Sequence, residues 1–167
     1  MALIVGGSTN PFGIVEFDSW RKTSAMSATS SGDFLTNNLE RCDSAGFDKI
    51  GTGMSESSGV FTFPSTGYWL LTFNASYYSN NQGDRQWGKS EIHTTVDDST
   101  YVQASQGIEN CSVNDDSCSC ITQFLFDCTN VSTHKVKFRV RSEDTWYVSG
   151  STDINDTHMD FAKLGAT

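Results

Sequence analysis

Cysteine is the residue type with the most distinctive chemistry in this sequence, and four of the five cysteines crowd between residues 111 and 128. They are Cys111, Cys118, Cys120 and Cys128, whereas Cys42 stands alone. A structural zinc site usually needs two matched C-x-x-C pairs, a spacing that this group lacks. We consider three alternatives and name the preferred one first: reduced structural cysteines, a local disulfide such as Cys111 with Cys118 or Cys120, and a metal site.

Three histidines and two acidic pairs are the other candidates for catalysis or metal binding. His93, His134 and His158 fall on separate predicted strands with no shared spacing. Asp97-Asp98 and Asp115-Asp116 fall in predicted loops, where carboxylates suit calcium, but neither pair has EF-hand spacing. Common nucleophile, zinc-protease and phosphate-loop motifs are missing from the sequence. We therefore predict no enzyme, no catalytic residue, no metal site and no resident cofactor, with calcium as the one cation left open.

Aromatic residues near position 80 raise the possibility of carbohydrate binding. Tyr77, Tyr78 and Trp87 could stack on sugar rings, and Trp87 is close in sequence to Arg85 and Lys89. The alternative, which we prefer, is that these rings pack in the core or in a subunit interface.

The charge of the chain limits its partners. The 167 residues carry a formal net charge of −9, and the sequence pI is about 4.5. Nucleic acids and anionic membranes both attract basic surfaces, so neither is an expected partner. The apolar run Ala2–Val5 is shorter than the core of a signal peptide, and no run approaches a membrane span. We expect a soluble chain that is made in a cytosol and reaches any outside location by a route such as lysis; the alternative is that a signal peptide has been cut away.

The elements that must position these residues are short strands separated by turn signals. In residues 134–141, HKVKFRVR, the apolar side chains alternate strictly with lysine and arginine. Residues 121–128 place Phe124 and Phe126 on one face and Ile121 and Leu125 on the other. We find no helical periodicity, and about ten short strands predict an all-β sandwich or jelly roll.

Several predicted strands are apolar on both faces, although one face is enough for the core of a monomeric sandwich. The surplus indicates a second buried surface, most simply a subunit interface. The residues that we assign to the core or to such an interface are Phe124, Phe126, Val136, Phe138, Val140 and Phe161.

Residues 59–73, GVFTFPSTGYWLLTF, place a rigid turn between two apolar strands. Proline pre-sets its backbone angle and glycine accepts turn conformations that other residues resist. The stretch resembles the signature of the C1q/TNF-like jelly roll, with tryptophan where that family usually has tyrosine. The matching residues are Gly59, Phe61, Thr62, Pro64, Gly67 and Trp69.

The resemblance extends along most of the chain. Ser24–Ala28 looks like the first, small-residue strand of the family, and Phe47–Ile50 looks like its second. His134–Val140 resembles its late alternating strand, and Thr157–Leu164 its closing strand. The resemblance implies an all-β, C1q/TNF-like jelly-roll sandwich of about ten strands over residues 23–167, assembled as a homotrimer.

Residues 1–22 precede the resemblance and form a predicted N-terminal arm. Its apolar residues would be a liability on a free surface, so we expect the arm either to anchor the domain to a partner or to add a strand to its own fold. The residues assigned to anchoring are Leu3, Ile4, Val5, Phe12, Phe17 and Trp20.

The resemblance also implies a function, because such domains occur as trimeric knobs and surface proteins of tailed phages. We expect a non-enzymatic virion structural protein: a trimeric capsid decoration or cement protein, or a head or tail appendage knob. Its partners would be the major capsid protein or a tail or appendage protein, and it would reach the virion surface from the host cytoplasm. The alternative is an extracellular C1q-like module, secreted or at the cell surface, that binds a receptor or a carbohydrate.

Overall fold

The computed structural model describes residues 13–78, 86–111, 117–144 and 146–167. Within these ranges the chain forms thirteen β-strands. None of the described residues belongs to a helix long and apolar enough to cross a membrane.

The strands form two antiparallel sheets. Sheet A contains β1 (Phe17–Lys22), β2 (Met26–Ala28), β4 (Leu39–Arg41), β7 (Gly67–Tyr78), β10 (Ser117–Cys128), β12 (Trp146–Val148) and β13 (His158–Gly165). Sheet B contains β3 (Asp33–Phe34), β5 (Ser55–Ser57), β6 (Val60–Thr62), β8 (Gln86–Thr95), β9 (Val102–Cys111) and β11 (Lys135–Ser142). In sheet A, β7 pairs with β10, β12 and β13; in sheet B the order is β5-β6-β11-β8-β9, and β3 also pairs with β11. Jelly rolls have this arrangement of two packed sheets with crossing connections.

The core lies between the two sheets because alternate residues of each strand point inward. Along β11, every second side chain is buried, from Val136 to Ser142. The ring of Phe138 from sheet B lies 5.1 Å from that of Phe73 and 5.8 Å from that of Phe161, both from sheet A. Such aromatic contacts add to the free energy gained by burying the rings. Of the residues assigned to the core or an interface, Phe126, Val136, Phe138, Val140 and Phe161 lie in this core, and the partly buried Phe124 packs against it.

The signature stretch connects β6 of sheet B to β7 of sheet A. Gly59 has a φ of +80°, and a Cβ there would lie 2.1 Å from the backbone oxygen of Leu35. Gly67 has a φ of +145°, and a Cβ there would lie 2.4 Å from the backbone oxygen of Gly165. Both positions therefore require glycine for two reasons, backbone angle and close packing. The other signature residues are Phe61 and Thr62 in β6, Pro64 in the turn, and the buried Trp69 in β7.

The end of the predicted N-terminal arm, residues 17–22, lies within sheet A. Phe17–Lys22 forms β1, which pairs with β13 on one side and β4 on the other. The ring of Trp20 packs edge-on against Phe61 at 5.6 Å. The strand buries charged residues, Asp18, Arg21 and Lys22, which an apolar pattern does not reveal, so the sequence left open whether the arm anchors the domain or adds a strand. Phe17 and Trp20 thus belong to the sandwich, whereas Leu3, Ile4, Val5 and Phe12 lie outside the described residues.

The early strands also differ from the prediction. Only Met26–Ala28 of the predicted first strand is a strand, β2. Phe47–Ile50 does not form one: the Phe47 N–H donates to the Ser44 oxygen in a turn, and Ile50 makes a single bridge to Phe17. The turn and the positive φ of Gly46 and Gly51 prevent an extended ladder here.

Candidate functional site

The outward side of sheet A carries apolar side chains on β10, β7 and β13. Leu125 and Ile121 on β10 are 54% and 61% exposed. Leu125 lies opposite Leu70 on β7, which in turn lies opposite Ala162 on β13. Together with the exposed Tyr68, these residues form a patch that spans three neighbouring strands. We call it face A: Tyr68, Leu70, Ile121, Leu125 and Ala162.

Polar groups beside face A are mostly uncharged and already paired with each other. Gln123 donates to the Thr72 hydroxyl at 3.0 Å, and the Ser76 and Ser119 hydroxyls lie 3.0 Å apart. Charged groups on this side include the exposed Asp127, which lies opposite Tyr68, and Asp160, whose carboxylate lies 3.7 Å from a ring nitrogen of His158. A centre that is apolar and poor in charge, with polar groups around it, is typical of protein–protein interfaces.

Face A was not identified from the sequence, although its signal was present. Residues 121–128 are apolar on both sides, but alternation does not tell which side faces the core. The structure turns Phe124 and Phe126 inward and leaves Ile121 and Leu125 outside.

The outward side of sheet B has a different chemistry, centred on a buried carboxylate. Glu91 on β8 is fully buried, and one of its oxygens lies 2.9 Å from Nε2 of His93 and 3.5 Å from a guanidinium nitrogen of Arg139. Its other oxygen lies 3.7 Å from a guanidinium nitrogen of Arg141 and accepts no hydrogen bond. A buried carboxylate is tolerated because the guanidinium groups of Arg139 and Arg141 compensate its charge.

Aromatic rings hold the lysines on this side of the sheet. Lys137 Nζ lies 4.0 Å from the ring centroid of Tyr101, and Lys89 Nζ lies 4.5 Å from that of Trp87. Cation–π contacts of this kind fix the position of an ammonium group without neutralising it. Burial raises the pKa of Tyr101, with a contribution from Asp98, so the phenol stays uncharged beside Lys137. Of the predicted sugar-stacking residues, Trp87 lies here, whereas Tyr77 is in the core and Tyr78 stacks on Tyr147 in sheet A.

A third polar region lies at the edge of sheet A, around β1 and β4. The Arg21 side chain is fully buried and donates to Glu40 at 2.8 Å, to Ser44 at 2.9 Å and to Asp43. An open depression of about 440 Å³ adjoins it, lined by Glu40, Asp43, Ser44, Ala45, Thr152 and Asp153. Arg21 already compensates the carboxylates of Glu40 and Asp43, so these two acids hold the buried guanidinium at the sheet edge.

The buried Asp18 has a similar structural role. Its carboxylate accepts hydrogen bonds from Arg41 at 2.9 Å, from the Met54 N–H at 2.7 Å and from the Trp20 indole at 2.9 Å. Every charged group in this cluster is paired, which is what a buried ion needs.

The predicted chemical residues do not form a common site. Among the described residues, no group of three His, Cys, Asp or Glu side chains is placed to hold a metal ion. Asp97 caps its own turn: it accepts hydrogen bonds from the N–H groups of Thr100 at 2.7 Å and Ser99 at 2.9 Å, and these hold its pKa well below the usual range. Asp115-Asp116 lies outside the described residues.

The histidines each have separate partners. His93 contacts Glu91, and His158 contacts Asp160. His134 accepts a hydrogen bond at Nδ1 from the Thr129 N–H at 3.2 Å.

The cysteines follow more than one of the predicted alternatives. Cys118 is disulfide-bonded, whereas Cys42, Cys120 and Cys128 are free and buried. The alternative that pairs Cys120 is wrong, because its thiol points into the core near the Ser90 hydroxyl, 3.4 Å away. Burial raises the pKa of the Cys128 thiol, which keeps it protonated and unreactive. The side chain of Cys111 lies outside the described part of the structure.

Comparison with known proteins identifies the fold. The sequence matches no protein-family model and no curated protein sequence. The structure is similar to Eiger TNF from S. frugiperda, with a TM-score of 0.64 and 10% identity, over 93% of this chain and 96% of that one. It is also similar to murine APRIL, with a TM-score of 0.62 and 13% identity, over 89% of this chain and 98% of that one. The predicted all-β, C1q/TNF-like jelly-roll fold is confirmed.

Proposed function

We propose that this protein is a non-enzymatic structural protein that assembles as a homotrimer through face A. The observation that carries the proposal is the position of Leu125 and Ile121. Both are large, aliphatic and more than half exposed on β10, next to the half-buried Leu70 on β7 and Ala162 on β13. Covering such side chains gains about 25 cal/mol per Å² of apolar surface. The resemblance to C1q/TNF-like domains favours three subunits over two.

The layout of the sandwich supports this assignment. Face A is on the outer side of sheet A, and the cations around Glu91 are on the outer side of sheet B. Three copies that meet through face A therefore keep the charged sides away from one another, which avoids burying unpaired cations.

The mass of the purified protein in solution tests the assembly. We expect sedimentation velocity or light scattering to give about three times the chain mass of 18.3 kDa at micromolar concentration. A monomer at that concentration contradicts the proposal.

The proposed setting of the trimer is the surface of a virus particle, as a capsid decoration protein or an appendage knob. A patch where the chain enters β1 supports attachment there. We call it the base patch: Ile14, Val15, Ile50 and Leu164, all exposed. The Phe17 N–H donates to the Ile50 oxygen at 3.0 Å, and the Lys163 N–H donates to the Glu16 oxygen at 2.9 Å, so the patch is built on ordered backbone. The major capsid protein or a tail or appendage protein would cover it.

Virus particles provide the test of the setting. The protein should co-purify with particles through a density gradient, and deletion of residues 1–13 should abolish attachment while the trimer stays intact. Ile50→Asp should weaken attachment, because a charge in a covered apolar patch is costly. The exposed Ile154 lies on another loop, and Ile154→Asp is the matched control. If the truncated trimer dissociates, residues 1–13 are needed for the fold and not only for attachment. If the truncated trimer attaches as before, the docking surface is elsewhere on the protein.

A further inference from the structure

We propose that the outward side of sheet B binds a linear polysaccharide that carries carboxylates. The binding surface, which we call the cation strip, follows β11 and β8. Its positive residues are Lys89, Lys135, Lys137, Arg139 and Arg141. The proposal does not depend on the assembly through face A, because the strip is on the opposite side of the sandwich.

The cation strip concentrates positive charge on an acidic protein. It holds five of the 11 lysines and arginines of a chain whose net charge is −9. The paired stretch, Gly88–Thr95 with Lys135–Ser142, contains a single acid, Glu91. Glu91 is already shared by His93, Arg139 and Arg141, so one carboxylate faces an excess of positive charge.

Two ammonium groups of the strip are available to a ligand. Lys89 and Lys137 rest on aromatic rings, and the described part of the chain gives neither Nζ a hydrogen bond or an ion pair. Lys137 lies opposite His93, four residues along β8 from Lys89. The two positions are thus about 14 Å apart along the strand. A small anion reaches one of them, whereas a linear polyanion contacts both.

The two arginines of the strip are held in place. Arg141 donates to the Ser30 oxygen at 2.7 Å and Arg139 donates to the Ser31 oxygen. They add positive potential at fixed positions, so a ligand does not have to order them. Preorganisation of this kind lowers the entropy cost of binding.

The neighbouring strand supplies uncharged hydrogen-bonding groups that favour a sugar over an acidic peptide. On β9, Gln106 lies opposite Glu91, Gln103 opposite His93, and Asn110 opposite Trp87. Gln103 and Asn110 are exposed, and Gln103 donates to Gln106 at 3.0 Å. Amide groups both donate and accept hydrogen bonds, as sugar hydroxyls require. Carboxylates on the ligand would meet the cation strip while its hydroxyls meet this amide row.

The ends of the strip favour a thin ligand. Asp98 lies in the turn after β8, and Glu143 follows β11, with its N–H donating to the Trp87 oxygen at 3.1 Å. These acids would repel the broad surface of a globular acidic protein. A single polysaccharide chain contacts the strip without covering them.

Isothermal titration of the full chain with oligogalacturonate tests the proposal. We expect binding at about 50 mM salt that weakens markedly at about 300 mM, because screening reduces exposed charge interactions. Neutral dextran should not bind. The double variant Lys89→Gln/Lys137→Gln should bind oligogalacturonate about tenfold more weakly.

The matched control removes the same charge elsewhere. Lys49→Gln/Lys163→Gln changes two lysines that contact Gly51 and Ser65, away from the strip, and should keep the affinity within about twofold. Gln106→Ala should weaken oligogalacturonate by about threefold and leave poly-glutamate binding unchanged. Equal melting temperatures of all variants should accompany these results.

Three results would overturn the proposal. One is the absence of oligogalacturonate binding at low salt. Another is an equal loss of affinity in the Lys49→Gln/Lys163→Gln control. The third is binding of poly-glutamate as tight as that of oligogalacturonate, which would assign the strip to an acidic peptide.

Discussion

Face A and the cation strip lie on opposite sides of one core, and the strands that carry them have nearly the same inward pattern. β10 and β11 both turn alternate side chains into the sandwich. Outward, β10 presents Ile121, Gln123 and Leu125, whereas β11 presents four lysines and arginines. The inward residues thus determine the fold and the outward residues determine what each side contacts. Substitutions can therefore separate folding, assembly and ligand binding.

The largest effect is expected in the core that both sides share. Phe138 is fully buried between rings of both sheets, so Phe138→Asp removes these contacts and buries an unpaired charge. We expect a loss of about 4 kcal/mol or more in the free energy of unfolding. Chemical denaturation followed by circular dichroism measures it, and Phe138→Leu is the milder control. A stable Phe138→Asp protein would show that the ring is not a core residue.

Assembly should respond to face A and not to sheet B. Leu125→Asp places a carboxylate in the proposed interface and should weaken association at least a hundredfold. Val102 on β9 is 58% exposed, close to the 54% of Leu125, so Val102→Asp is a matched control that should stay trimeric. Sedimentation velocity separates the two. Dissociation of both variants, or of neither, contradicts the assignment of face A.

The stability of the protein should fall when a Cβ atom is added at Gly67, in the connection between the sheets. Gly67→Val combines an unfavourable φ with a contact to the Gly165 oxygen and should cost about 2 kcal/mol of stability. Gly46 also has a positive φ, but a Cβ there meets nothing within 4 Å. Gly46→Val should therefore cost less, about 1 kcal/mol. Equal melting temperatures of the two variants would show that the contact with the Gly165 oxygen does not contribute to the loss of stability.

The smallest effect is expected at Asp97, in the turn that follows β8 of sheet B. The pKa of Asp97 is lower in the folded protein than its ordinary value of 3.8, chiefly because of the Thr100 and Ser99 N–H groups. Its stabilising effect is therefore present above the unfolded pKa and is lost as the pH falls through the folded one. Asp97→Asn should lower the melting temperature slightly at pH 7 and less at pH 3. Asp48→Asn, at an exposed carboxylate in another loop, is the control, and an equal shift at both pH values contradicts the linkage.

The sequence predicted those parts of the fold that depend on local features of the chain. The alternation in β11, Gly59 before β6 and Gly67 at the start of β7 are local features that are kept in the folded chain. The sequence left β1 between two alternatives, an anchor or an added strand, because Asp18 and Arg21 are buried with partners from distant segments, Arg41 and Glu40, which no local pattern encodes. Face A was missed because β10 is apolar on both sides, and its orientation depends on strands far away in sequence.

The pairing of β1 with β13 joins the two ends of the described chain in the middle of sheet A. Phe17 lies opposite Ala162, so the sheet cannot close until β13 has been synthesised. Contacts of such large sequence separation slow folding. Ala162, part of face A, is supplied by β13. A chain that stops before β13 would therefore lack both the closed sheet and part of face A, and under the proposed assembly such incomplete copies would be excluded from the trimer.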